Sequence, residues 1–265
     1  MESLEEFLRR RGRDGVISLT TTRGGSRIFA MPIVGIEEQA LLLGLMPARY
    51  LRNGLGCEEQ LRLLRARVAV VGCGGLGGAV AALLARVGIG FLRLIDPDVF
   101  EEHNLNRQQF ATVDTLGQRK VQAAQDALAA INPATGVDAV CCRWRREHLE
   151  DVAVVIDGLD SAGERRELGR TCRELAVPLV HGAVRQWYGQ AAIVSRESDP
   201  FALLYPDTAS PEPGIPEVIA PTVALVAAIQ AAECVKLLLG RPSPLARHWL
   251  NCNLHDDDFD LTGFC

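Results

Sequence analysis

Apolar residues along this chain recur with two periods. The runs RVAVVG (67–72), FLRLID (91–96), VDAVCCRW (137–144), VAVVIDGL (152–159) and VPLVHGAV (177–184) are short, rich in Val, Ile and Leu, and predict buried strands. Between them apolar positions fall at helical spacing. That predicts helices from Glu58 (Leu61, Leu63, Leu64), over 77–88, over LGQRKVQAAQDALAAI (116–131) and over SAGERRELGRTCREL (161–175). Strands alternating with helices predict an α/β fold: a Rossmann-like, twisted, largely parallel sheet with helices on both faces.

The pattern changes toward both ends. VISLTTTRGGSRIFAM (16–31) sets two β-prone runs around Gly24 and Gly25 and predicts a small hairpin inside an N-terminal element of residues 1–35. Residues 36–265 form the main domain, opening with a short helix in EEQALLLGLMPARYLRNG (37–54) that stops near Pro47. Past Ala191 a polar stretch with five prolines (197–216) precedes a helix near 220–239. ARHWLNCNLHDDDFDLTGF (246–264) predicts a final antiparallel hairpin.

Two long apolar stretches resemble membrane spans by length. Val68 to Ala85 carries no charge, but five glycines between 72 and 78 would break a helix at its centre, so a strand, a turn and a buried helix are expected. Val218 to Ala232 contains Pro221 and Gln230 and is followed by Glu233 and Lys236, as in a core helix. No membrane association is expected. MESLEEFLRRRGRDG at the start has no apolar region of the kind a signal peptide carries.

Composition narrows the picture further. Apolar residues make up 48% of 265, enough for a sizeable core. A formal net charge of -5 argues against a general nucleic-acid binder. Eight cysteines without a C-x-x-C pair point away from a secreted disulfide framework and toward a reducing, cytoplasmic setting.

The chemistry-bearing segments follow the strands. In VAVVGCGGLGG, Gly72, Gly74 and Gly77 satisfy G-x-G-x-x-G between an apolar strand and a helix, the arrangement that brings backbone N–H groups to a phosphate. Asp96 ends the next strand, where a ribose-binding carboxylate belongs. IDPDVFEEHNLNRQQF (95–110) then adds what a nicotinamide site has no use for: Arg107 as a fork of donors to phosphate, with Asn104, Asn106 and Gln108 as neutral hydrogen-bonding groups. Lys120 offers a second cation, as transfer of a nucleotidyl group from ATP requires. In VVIDGLDS, Asp160 faces the crevice at the carboxyl end of a strand and suits Mg²⁺, while Asp157 suits a structural role. RYLRN (49–53) sets basic residues ahead of the first strand.

Together GCGGLGG, the strand-ending Asp96, NLNRQ, Lys120 and D-x-x-D at 157–160 resemble the ThiF/MoeB/HesA adenylyltransferases, relatives of ubiquitin-activating enzymes. The resemblance runs from about Arg49 to the final hairpin. It implies a homodimer that uses ATP and Mg²⁺ to adenylate the C-terminal Gly-Gly carboxylate of a small ubiquitin-fold sulfur carrier of the MoaD or ThiS kind, for molybdenum or tungsten cofactor or thiamine synthesis. By matching positions, Arg107 and Lys120 hold phosphates, Asp160 serves Mg²⁺, and Arg52 reaches the ATP of the other subunit. Gly72, Gly74, Gly75, Gly77, Asp96, Asp98, Asn104, Asn106 and Gln108 form the nucleotide-binding set.

The chain departs from that pattern in places. The two C-x-x-C pairs that hold structural zinc in many members are missing, Cys252 and Cys265 being the only cysteines of the tail, so no zinc is expected. ASPEPGIPEVIAP (209–221) lacks the cysteine that members forming a thioester or persulfide place there. Ser161 and Asn53 replace the usual Asn and Gln. His181 reads as a hydrogen-bonded core residue, the remaining cysteines (Cys73 included) as inert, and His255 with Asp256 to Asp258 as an acidic turn. Two other readings stand beside adenylation: a non-catalytic scaffold that binds a carrier or partner subunit, and an NAD-dependent oxidoreductase.

Overall fold

A computed structural model describes residues 2–205 and 217–264. The N-terminal element is helical: α1 (Leu4–Arg11), a two-residue strand β1 (Val16–Ile17), α2 (Leu19–Phe29) and α3 (Ile33–Leu42). The hairpin expected over 16–31 does not form. Ser18 accepts a hydrogen bond from the Thr21 N–H and starts α2, while Gly24 and Gly25 lie inside the helix. Gly25 earns its place by proximity, since a Cβ on it would stand 3.2 Å from the Phe7 ring and 3.3 Å from Ile36. Phe7, Leu8, Ile17, Ile36 and Ala40 make a small core of their own.

β2 (Met46–Pro47), parallel to β1, leads through a 3₁₀ turn (Ala48–Asn53) to α4 (Cys57–Arg65). The main sheet follows: β3 (Arg67–Val71), α5 (Gly75–Val87), β4 (Phe91–Ile95), α6 (Lys120–Ile131), β5 (Gly136–Val140), β6 (Val154–Asp157), α7 (Ala162–Leu175) and β7 (Leu179–Arg185). β8 (Tyr188–Val194), a short α8 (Phe201–Leu204), α9 (Ala220–Leu239), β9 (His248–Asn253) and β10 (Asp258–Gly263) complete the chain. Strand order is β10-β9-β8-β7-β6-β3-β4-β5, parallel from β7 to β5 and antiparallel from β7 to β10. Most elements match their sequence signals; β8 had none. The proline-rich 197–216 stretch and the 209–221 segment lie partly outside the described residues, and Cys265 lies wholly outside them.

Alternation along the strands divides the core. Val68 and Val70 face α5, α6 and α9, whereas Ala69 and Val71 face α7 and α8. α9 has the length and apolar composition of a membrane span, yet Val223, Val226, Ala227 and Cys234 are buried in the main core. Because the chain builds β4 and β5 on one side of β3 and then crosses to β6 on the other, the order of strand addition reverses between the parallel strands β3 and β6. Ligands of such sheets bind beyond the carboxyl ends of the strands at that point.

Candidate active site

The loop after β3 is shaped by close backbone approach. Gly72 has φ +87°, and a Cβ there would come within 2.6 Å of the Gly158 carbonyl, from the loop after β6. Gly77, in the first turn of α5, sits so near that loop that a Cβ would lie 1.8 Å from the Gly72 oxygen. No side chain caps α5, whose N-cap is Gly74, so its first-turn donors point outward for an anion. Asp96, 4% exposed, secures the loop: one carboxylate oxygen accepts from the Cys73 N–H (2.7 Å) and the other from the Asp98 N–H (2.8 Å). The Cys73 side chain is buried, and burial, followed by the Asp96 charge, pushes its thiol far above the ordinary range. It is no nucleophile.

The polar strip folds back onto this loop. Asn104 is spent on shape: its Oδ1 accepts from the Glu101 N–H (3.0 Å) and its carbonyl from the Arg107 and Gln108 N–H groups. The Gln108 amide sits 3.6 Å from where a Gly74 Cβ would stand, and the Arg107 stem 3.7 Å from the same point on Gly75. Arg107 donates to the His103 carbonyl (3.1 Å) and to Asn106 Oδ1 (2.8 Å). Asn106 in turn donates to the Val218 carbonyl at the approach to α9 (3.3 Å). Lys120, nearly buried at the start of α6, pairs with exposed Asp98 at 3.0 Å.

The loop after β6 completes the edge. Asp157 is fully buried, bonded to His181 Nδ1 (2.7 Å) and to the Leu159 N–H (3.0 Å). Three residues on, Asp160 is exposed. Asp157 and His181 are thus structural, as their sequence context indicated.

Gly72 to Gly77, Asp96, Asp98, Gln108, Arg107, Lys120 and Asp160 therefore lie beyond the carboxyl ends of the central strands β3, β4 and β6. Arg52 does not join them. Its 3₁₀ turn is tied to the far end of α5, where Asn53 Nδ2 donates to the Val87 carbonyl at 3.1 Å. The 13 residues of α5 put about 20 Å between that end and the phosphate loop. Sequence reasoning missed two features. A groove of about 580 Å³ opens beside Arg107, walled by Gln186, Trp187, Glu217 and Ile219. Its one sequence signal is RQWYG, a tight turn carrying a large aromatic, with Gln186 at φ +49°. The other is Arg165, a buried cation behind the Asp160 loop.

The residues fit ATP. The uncapped α5 start offers donors to its phosphates, and Gln108 Oε1, buried without a protein partner, is an acceptor free for a hydroxyl or amine of the nucleotide. Mg²⁺ is usually held by one or two carboxylates together with substrate phosphates, and Asp160 is an exposed carboxylate on the loop after β6.

A phosphate loop, a strand-ending carboxylate and a cationic strip at the switch point of a doubly wound sheet define a nucleotide-using α/β enzyme. The chain belongs to the ThiF family, whose model matches residues 48–262, and it is an adenylyltransferase. The SAMP-activating enzyme E1 of Haloferax volcanii is 36% identical over 220 residues, which cover 79% of this chain and 81% of that protein. The molybdopterin-synthase adenylyltransferase of Salmonella typhimurium is 36% identical over 204 residues, 72% of this chain and 81% of that protein. Among solved structures, E. coli MccB with MccA-N7isoASN superposes with a TM-score of 0.74 over 82% of this chain and 71% of that one; at 20% identity this bears on the fold alone.

Proposed function

We propose that the protein adenylates the C-terminal Gly-Gly carboxylate of a small ubiquitin-fold sulfur carrier, using ATP and Mg²⁺, in molybdenum or tungsten cofactor or thiamine synthesis. The observation that carries this reading is the placement of Arg107 and Gln108 against the uncapped glycine start of α5. A nicotinamide cofactor keeps its pyrophosphate intact, whereas adenylation builds charge on a departing pyrophosphate, which a cation there offsets.

In this reaction a carboxylate oxygen of the carrier bonds to the α-phosphorus. The bond from that phosphorus to the bridging oxygen breaks, and its electron pair leaves with pyrophosphate. The nucleophile is already anionic, so no residue has to remove a proton, and the chain's task is to hold and align. Asp96 accepts from a ribose hydroxyl, Arg107 and Lys120 offset phosphate charge, and Gln108 donates near Gly74. Mg²⁺ held with ATP at Asp160 supplies further positive charge at the phosphates. The groove beside Arg107, walled by Trp187 and residues 217–219, suits an extended tail arriving in single file. Arg52, remote from its own phosphate loop, is assigned to the ATP of a partner subunit in a homodimer. The cysteine usage favours a cytoplasmic setting for this chemistry.

The test is ATP–[³²P]pyrophosphate exchange with Mg²⁺, run with ThiS-like and MoaD-like carriers, each with a free or blocked C-terminus. Exchange that requires one carrier and its free Gly-Gly end establishes the reaction and names the pathway. Tight ATP binding without exchange for any carrier would favour a non-catalytic scaffold.

A further inference from the structure

Behind the loop that carries Asp160 lies a buried cluster that the adenylation chemistry does not touch: Asp157, Arg165, His181 and Tyr205. Asp157 and His181 are fully buried, and Arg165 is 8% exposed. Tyr205 OH lies 3.2 Å from His181 Nε2, and Arg165 Nη1 donates to the same hydroxyl at 2.9 Å. With a proton on Nδ1 shared with Asp157, His181 can accept from the tyrosine, whose oxygen accepts from Arg165.

One reading makes Arg165 merely the counter-charge of Asp157. The geometry opposes it. An arginine that serves chiefly to neutralise a carboxylate often presents its fork to both oxygens. Here only Nε approaches Asp157, at 3.5 Å and without a hydrogen bond. The fork points elsewhere: Nη2 donates to the Leu159 carbonyl at 2.5 Å and Nη1 to Tyr205. Asp157 meanwhile spends its oxygens on His181 and on the Leu159 N–H. Leu159 is thus gripped on both sides, by its N–H through Asp157 and by its carbonyl through Arg165. That carbonyl belongs to the peptide plane joining Leu159 to Asp160, so fixing it fixes the backbone from which the Asp160 carboxylate projects.

We infer that Arg165 is a positioning residue for Asp160: held by Tyr205, it orients the 159–160 peptide so that the carboxylate faces the phosphate loop. This rests on the reading above that Asp160 serves Mg²⁺ bound with ATP. Partners one shell behind a metal ligand typically contribute 10- to 100-fold in metal affinity.

The experiment measures equilibrium binding of a fluorescent ATP analogue while Mg²⁺ is titrated, with no turnover involved. Four variants are compared with the parent: Asp160→Asn, Arg165→Lys, Tyr205→Phe and the double variant Asp157→Asn/Arg165→Met. The double variant removes both buried charges at once, so neither is stranded. Affinity without Mg²⁺ should stay within about 2-fold of the parent in Arg165→Lys, Tyr205→Phe and the double variant, because no phosphate-loop contact changes. The Mg²⁺ concentration for half-maximal enhancement should rise about 10- to 100-fold in Asp160→Asn and in the double variant. Arg165→Lys, which can still reach the Leu159 carbonyl with its ammonium, should shift it less. If Asp160→Asn raises the Mg²⁺ requirement but Arg165→Lys, Tyr205→Phe and the double variant all keep the parental value, the positioning role is overturned while the Mg²⁺ reading stands. If Asp160→Asn itself changes nothing, the Mg²⁺ reading falls and the inference with it. A double variant that does not fold leaves the decision to Tyr205→Phe, which strands no charge: a raised Mg²⁺ requirement supports the role and a parental one overturns it.

Discussion

Replacing Gly77 and Gly75 separately by alanine tests whether α5 presses on the phosphate loop as closely as the structure has it. Both residues lie in the first turn, and alanine should gain about 0.5–1 kcal/mol of helix preference at either. The spatial cost differs. On Gly75 the new methyl meets a Val223 methyl at 3.2 Å, a contact that a small side-chain shift relieves. On Gly77 it meets the Gly72 carbonyl oxygen at 1.8 Å, so to reach 3.0 Å the backbone must part by 3.0 − 1.8 = 1.2 Å. Gly72 has little room to retreat, because it stands against the Gly158 carbonyl and its N–H is bonded to the Ile95 oxygen at 2.8 Å. Overpacking of this kind costs about 3 kcal/mol at the upper end. After the helix gain, Gly77→Ala should lose about 2 kcal/mol, whereas Gly75→Ala should stay within about 1 kcal/mol of the parent. In urea, with a slope of about 3 kcal/mol per molar, the midpoint of Gly77→Ala should fall by roughly 0.7 M. Coincident unfolding curves for the two variants would refute the close contact and the loop geometry built on it.

Other perturbations address separate parts of the molecule. Arg107→Ala should lower carrier adenylation by about 10²- to 10³-fold. It should leave the urea midpoint unchanged, since among the described residues its polar bonds reach only His103 and Asn106; full activity would sink the phosphate assignment. Glu37 is fully buried and accepts a two-pronged bond from Arg49, both distances 2.6 Å. Glu37→Ala should cost about 3 kcal/mol, the lower end for a broken buried pair, because Arg49 keeps its bonds to Tyr50 and Asn132. A urea midpoint equal to the parent's would show the pair to be dispensable. Burial, outweighing the Asp157 carboxylate, holds His181 below its ordinary 6.5. As pH falls below 6.5, the unfolded chain takes up a proton there that the native state refuses, so stability should decline by up to about 1.4 kcal/mol per pH unit from this group. His181→Asn should flatten the profile over that window; an unchanged slope would place the titration elsewhere.

These perturbations fall on residues whose roles were unequally visible in the chain. The strand before the glycine loop announces itself through its buried run Val68 to Val71, the strand before Asp96 through Leu92, Leu94 and Ile95 around Arg93, and the loop because only glycine tolerates the approaches measured at Gly72 and Gly77. Residue type and position, one segment after the strand-ending Asp96, suggested that Arg107 binds phosphate and Gln108 ribose or phosphate. Their placement against Gly75 and Gly74 is a tertiary fact, made across roughly thirty residues of sequence. The N-terminal hairpin failed for the opposite reason. Thr20 to Thr22 and the glycine pair favour strand and turn locally, but the Ser18 cap and the fit of Gly25 between Phe7 and Ile36 select a helix.

Arg165 is the sharpest case. In ERRE it has the look of a solvated helix residue, and its neighbour Arg166 has the same local sequence context. Arg165 becomes a buried fork because Tyr205, forty residues later, and His181, on β7, close over it. No periodicity encodes a contact between a helix, a strand and a short distant turn. Chemistry that must face the ligand is written in short motifs, since its donors come from one loop at a time. The groups that aim those donors come from whichever elements the sheet brings together, and they emerge only when the strand order is known.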